Sequence, residues 1–297
     1  MNFLHTFLPQ PLALQIGPLV IHWYGVFMVL ALLAGLFVSI KIARLYGVAK
    51  AVIYDIFFYL TIAGFFGARL FYILYNPVYF WRNPLDIFKI WQGGVAIHGA
   101  LLFGLITLMW FAWRRPSIET EQCLVSAVKH KFWLLAAIIT PGLALGQAIG
   151  RFGNYFNQEL FGLPTSAPWG IPIALINRPA GFESFSYFHP AFLYESIGSL
   201  MIFGILFWWH WLIIKKGSKL SDSNCQLIAF SYLLLYSFLR FLIEFLRIDP
   251  TAGSIGGARA TQVLSLVMML GVTGYLIFLR RHGKLQTFLR QGDITKL

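Results

Sequence analysis

Seven times along the 297-residue chain, about twenty residues pass with almost no charge. A helix of that length is roughly 30 Å long, the thickness of a bilayer's hydrocarbon core. The spacing predicts spans at 18–40, 51–75, 93–113, 132–150, 190–214, 226–246 and 260–280. The expected fold is therefore all-α: a polytopic membrane protein with about seven transmembrane helices. Only 11% of the residues are charged and 58% are hydrophobic, whereas about a quarter are charged in soluble domains. The first span does not read as a signal peptide. Residues 1–17 contain no Lys or Arg, and Ile16-Gly17-Pro18 leads directly into a full-length span.

A net charge of +12 raises the question of nucleic acid, and its distribution answers it. Of the 23 Lys and Arg, 15 fall after spans one, three, five and seven, 6 fall in the opposite loops, and none precedes the first span. The positive-inside rule then predicts an N-terminus outside and a C-terminus in the cytoplasm. The basicity is a topology signal, with no nucleic-acid partner implied. In this topology Cys123 and Cys225 face the cytoplasm and stay reduced. No linker divides the chain, so one domain over 1–297 is expected. Its long extracytoplasmic loop, at about 163–189, is rich in Pro and Gly and reads as an irregular lid or substrate-contacting arm.

Ionisable groups inside a span cost roughly 2.5–3.5 kcal/mol each on insertion scales, so each asks for a partner or a task. Arg69, Glu195, Arg240 and Glu244 are the charged cases, His98 is titratable, and Arg151 stands at the end of span four. In the predicted topology all of them lie toward the outer side, with Tyr24 and His189. Asp55, at the inner end of span two, is expected to pair with a cytoplasmic Lys or Arg. Tyr236, Arg240, Glu244 and Arg247 share one helical face, so Arg240 and Glu244 can pair at i, i+4. Taken singly, each has a structural reading: a neutralising ion pair, a core histidine, interfacial aromatics, a snorkelling arginine. Those readings leave the common depth unexplained.

The stretch GRFGNYFNQELFG, residues 150–162, concentrates Arg151, Asn154, Asn157, Gln158 and Glu159 at the end of span four. It reads as a helix-end turn in which Gly150, Gly153 and Gly162 let the backbone turn or approach a ligand closely. The chain carries no nucleophile elbow, zinc motif or phosphate loop, so neither metal nor cofactor is implied. Guanidinium groups match phosphate oxygens bidentately, and a lipid phosphate is the natural anion at that depth.

This stretch closely resembles the signature of bacterial phosphatidylglycerol–prolipoprotein diacylglyceryl transferases. The resemblance continues in HWYG at 22–25, GGVAIHGA at 93–100, HPAFLYE at 189–195 and YSFLRFLIEFLR at 236–247, in the family's order. It implies a seven-helix enzyme of the bacterial inner membrane, here a single catalytic domain. Such an enzyme moves the diacylglyceryl group of phosphatidylglycerol onto the lipobox cysteine of an exported prolipoprotein, giving a thioether and glycerol 1-phosphate. The implied partners are phosphatidylglycerol, a prolipoprotein signal peptide and membrane lipid. The implied site comprises Arg240, His98, Arg151 and Glu244 as catalytic residues, with Arg151, Asn154, Glu159, Gly162, Tyr24 and Tyr236 as substrate-binding residues. The family block usually ends His-Gly-Gly, whereas this chain has His98-Gly99-Ala100, an extra methyl beside the histidine. The rival class is a transporter or lipid-binding protein without chemistry. Against it stand the odd span count, the absence of repeated halves and the confinement of polar groups to one side.

Overall fold

The computed structural model describes residues 3–17, 19–89, 93–120, 124–125, 127–216, 221–248, 254–255 and 258–281. Cys123 and the basic residues Lys219, Lys284, Arg290 and Lys296 lie outside the described residues. In chain order the elements begin with α1 (Phe3–Thr6), β1 (Leu12–Ile16), β2 (Leu19–His22), α2 (Trp23–Leu45), α3 (Lys50–Tyr75), α4 (Pro77–Arg82) and α5 (Ile97–Arg114). There follow β3 (Ile118–Glu119), β4 (Leu124–Val125), α6 (Val128–Phe156), β5 (Ile171–Pro172) and β6 (Tyr187–Phe188). The last are α7 (Ala191–Lys215), α8 (Asp222–Glu244), β7 (Ser254–Ile255), β8 (Ala258–Arg259) and α9 (Ala260–Arg281). The strands form four two-stranded antiparallel pairs. The seven helices α2, α3 and α5 to α9 are long and apolar enough to cross a bilayer, and each overlaps a predicted span. Large apolar side chains such as Phe65, Leu101, Met201 and Leu270 stand exposed on them, as lipid-facing surfaces require.

Several boundaries differ from expectation by four to six residues, two of them for evident physical reasons. The helix of the first span, α2, begins at Trp23 rather than 18, because β1 and β2 pair as a hairpin whose turn holds Gly17 at φ +56°. The fourth span continues as helix to Phe156, so Gly150 and Gly153 are helical residues rather than turn residues.

The chain forms two compact units. The first comprises residues 1–39 and 139–297, the second residues 40–138. Within the first, α2 and α6 meet along small residues one turn apart. A Cβ on Gly142 would come 2.5 Å from the Gly35 carbonyl and 2.8 Å from Ser39 Oγ, and one on Gly146 would come 3.2 Å from the Ala31 carbonyl. The seam runs on to Gly153, where a Cβ would lie 2.8 Å from the Tyr24 ring. Small residues at i, i+4 let membrane helices approach backbone to backbone. Here they bring Tyr24 against the polar end of α6. Between α7 and α8, a Cβ on Gly198 would collide with Leu239, while Ser196 Oγ donates to the Ala148 carbonyl at 2.8 Å.

The 163–189 loop is tied to the helices around it. Gly162 N–H donates to the His189 carbonyl (2.9 Å), and Leu163 N–H donates to that of Leu246 (2.7 Å). Tyr155, Phe161, Ile171, Ile173, Phe188 and Phe192 form a buried apolar cluster beneath it. In the second unit, α3 and α5 touch at Gly67 and Gly99, each of which has no room for a Cβ beside the other's backbone. Asp55 pairs with Arg115 at 3.0 Å, the basic partner expected for it. The buried Lys131 donates to the Arg115 and Pro116 carbonyls, capping the end of α5.

Candidate active site

The polar end of α6 builds the first part of the site. Arg151 and Asn154 stand at i, i+3 on one helical face, and Arg151 Nη1 donates to Asn154 Oδ1 at 3.2 Å. Beyond Phe156 the chain reverses through Gln158 and Leu160, both in the left-handed region at φ +52° and +55°. Residues with a Cβ rarely adopt that conformation, and it persists only where the surroundings hold it. Here the Gln158 side chain does so. Its amide donates to the Pro9 carbonyl at 2.7 Å and accepts from Ala174 N–H at 2.7 Å. The reversal carries Glu159 back over the helix end, where it accepts from Asn154 Nδ2 at 2.7 Å. Arg151, Asn154 and Glu159 therefore form one hydrogen-bonded chain.

Glu195 of α7 is the hub of the second part. Its carboxylate pairs with Arg151 Nη2 at 2.5 Å, with Arg240 Nη1, and more distantly with Arg247 Nη1 at 3.9 Å. Arg240 also meets Glu244 at 3.0 Å across one turn of α8, as its spacing predicts, and Glu244 reaches Arg259 at 3.5 Å. The Gly198–Leu239 contact explains the encounter of the helices. Gly198 lies one turn from Glu195 and Leu239 adjoins Arg240, so the close approach sets carboxylate against guanidinium. The two carboxylates are about 4% exposed and the Arg151 and Arg240 side chains 19% and 15%. Among the described residues, four arginines thus share Glu195 and Glu244. Removing one member of such a buried network strands charge, at a cost of about 3–5 kcal/mol.

The remaining expected residues take distinct places. Tyr236 accepts from Arg151 Nη2 at 3.4 Å and stacks on Tyr232. Tyr24 packs against Gly153, at the level of Arg151 and Asn154. Gly162 is packed by its own chain, since a Cβ there would lie 2.8 Å from His189 Cβ and 3.0 Å from the Leu246 carbonyl. His98 belongs to the second unit, in the first turn of α5, and its side chain is exposed rather than packed in a core. Arg69, grouped with the converging charges by depth, spends its donors on main-chain carbonyls of its own unit.

Sequence reasoning left three contributors out of the site. Glu195 was visible as an intramembrane carboxylate with no basic residue one turn away on its own helix, which signals a partner on another. Arg247 was visible on the Arg240 face. Arg259 appeared only as a loop charge, and no local pattern points it toward Glu244.

Comparison with known proteins shows the family. A family model described as prolipoprotein diacylglyceryl transferase matches residues 11–278. A phosphatidylglycerol–prolipoprotein diacylglyceryl transferase of Prochlorococcus marinus (strain NATL1A) is 37% identical over 288 residues, covering 90% of this chain and 89% of its own. Proteins of the same name from Trichormus variabilis and Synechocystis sp. are 38% and 36% identical, covering 90% and 91% of this chain and 88% and 89% of their own. With the match running through every span and all five sequence blocks, this multi-pass bacterial membrane enzyme belongs to the prolipoprotein diacylglyceryl transferase family.

Proposed function

We propose that the chain, acting as one catalytic domain, transfers the diacylglyceryl group of phosphatidylglycerol to the lipobox cysteine of exported prolipoproteins. The observation that carries this reading is Glu195 shared between Arg151 and Arg240, with Glu244 gripping Arg240 from the next turn. Two guanidiniums brought together on neighbouring helices suit a phosphate-bearing lipid headgroup. The charge distribution supports a site toward the outer side, with the N-terminus outside and the C-terminus in the cytoplasm. Glycosylation-type or cysteine-accessibility reporters at each terminus test that orientation.

In the proposed reaction the cysteine sulfur attacks the glyceryl carbon that carries the phosphate. A C–S bond forms, the C–O bond breaks, and its electron pair leaves on glycerol 1-phosphate. Charge builds on that oxygen, where Arg240, gripped by Glu195 and Glu244, stabilises it in a water-poor setting. Arg151 and Asn154, braced by Glu159 and Tyr236, hold the headgroup. Tyr24 and Gly162 complete the binding surface, Gly162 by allowing the 162–163 backbone to lie against residue 246. A thiol has a free pKa near 8.5, so its proton must be taken or its thiolate stabilised. The exposed His98 imidazole is assigned as the acceptor of that proton.

Purified protein incubated with labelled phosphatidylglycerol and a lipobox peptide tests the reading. A thioether-linked product with release of glycerol 1-phosphate supports it. Movement of lipid or peptide across liposomes without any product would select a transporter.

A further inference from the structure

Arg69 is a buried intramembrane cation for which the proposed reaction has no use. It lies in α3, 9% exposed, and each guanidinium nitrogen meets main-chain oxygen. Nε donates to Ile87 at 3.1 Å, Nη1 to Gly93 at 2.7 Å and Gly94 at 2.9 Å, and Nη2 to Asp86 at 2.5 Å. Only a planar fork of five donors can reach four carbonyls at once; a lysine ammonium has three donors on a single atom. The two glycines sit at φ +84° and +76°, and a Cβ on Gly94 would strike both the Tyr72 ring and Arg69 Nη1. The Asp86 carboxylate is occupied elsewhere, with Lys89 at 2.6 Å and the Tyr79 hydroxyl at 2.6 Å. Arg69 thus binds the backbone on both sides of the segment that leads from α4 into α5.

That segment delivers His98. Three attachments converge within a few residues of it. They are the Arg69 bracket at 93–94, a hydrogen bond from Ala96 N–H to the Ala68 carbonyl (2.9 Å), and the Gly67–Gly99 contact between α3 and α5. An exposed imidazole has no packing of its own to fix its place, so its position is inherited from its backbone. From this geometry we infer that Arg69 is the positioning residue for His98, holding the backbone at 86–87 and 93–94 so that the first turn of α5 presents the imidazole in one place. The inference rests on the proposed participation of His98.

A mutant cycle on the full-length enzyme tests it, measuring kcat and KM for phosphatidylglycerol with a lipobox peptide. Arg69→Lys keeps the charge but not the fork. It is expected to lower kcat on the order of 100-fold, the scale of a 1 Å misplacement, with KM changed less than about twofold because the headgroup residues are untouched. Gly94→Ala, which disturbs the same carbonyls from the other side, is expected to act in the same direction more weakly. In a His98→Gln background neither change lowers kcat further, since residues acting through one group are not additive. Additive losses in that background, or a raised KM with unchanged kcat, overturn the positioning role and leave the assignment of His98 standing. Near-normal transfer by His98→Gln overturns both. Should Arg69→Lys not be recovered folded, Gly94→Ala decides by the same cycle.

Discussion

The two units bury arginines inside apolar helices and satisfy them in opposite ways. In the first, Arg151 and Arg240 lean on the carboxylates of Glu195 and Glu244, which Arg247 and Arg259 also draw upon. In the second, Arg69 is bracketed by the carbonyls of Asp86, Ile87, Gly93 and Gly94. Carbonyl dipoles belong to the backbone, so an arginine that holds them is a fold element whose donors are already committed. Side-chain carboxylates can exchange partners, and in the proposed reaction a lipid phosphate takes its place among these guanidiniums. The same side chain is therefore satisfied by backbone in one unit and by carboxylates in the other.

The sharpest way to break the comparison is to delete one arginine from each. Arg240→Ala should cut kcat roughly 100- to 1,000-fold, the usual loss when a donor to developing charge is removed. Transfer at near-normal rate would end the leaving-group role. Next in size, Glu195→Gln keeps shape but leaves Arg151 and Arg240 without their common counter-ion. We expect kcat/KM to fall on the order of 100-fold and thermal stability to drop by about 3 kcal/mol. Unchanged activity would mean that Glu244 alone organises Arg240.

Packing gives a third and milder test. Gly198→Ala pushes on Leu239 and separates α7 from α8, at about 1–3 kcal/mol, and should lower activity by displacing Glu195 from Arg240. Gly204→Ala, where nothing lies within 4 Å of an added Cβ, should do neither. The smallest effect belongs to the half-buried Asp86 beside the Arg69 bracket. Lys89, and then the Tyr79 hydroxyl, hold its carboxyl below the usual carboxylate range. Stabilisation from a lowered carboxylate is present above its unfolded pKa and is lost as pH falls through its folded one. Between about pH 5 and 8 the segment should show no titration from this group. Asp86→Asn should alter transfer less than about twofold, because Arg69 holds the main-chain carbonyl of residue 86 and not its carboxylate.

Much of this was legible in the sequence, for reasons that also explain the omissions. The spans were readable because lipid demands long unbroken apolar runs, and the Arg240–Glu244 pair because one helix turn fixes its geometry. The β1–β2 hairpin was hidden because its residues, among them Val20 and Ile21, are as apolar as the span they precede. Gly150 and Gly153 read as turn formers because local sequence carries no trace of the helix that packs against them. The seam with Tyr24 exists only in three dimensions. Glu195 announced itself as a costly charge without naming its partners, and Arg259 gave no sign at all. Tertiary electrostatics joins residues far apart in the chain, and that is where local reasoning stops.

The direct test of the central claim is the preference of the enzyme for phosphatidylglycerol over phosphate-free diacylglycerol, measured as binding affinity in detergent micelles. The account predicts a clear preference in the parent protein, largely lost in Arg151→Ala and retained in Arg69→Lys, with both variants verified as folded by thermal melting. Preference undiminished in Arg151→Ala, or lost instead in Arg69→Lys, would contradict it.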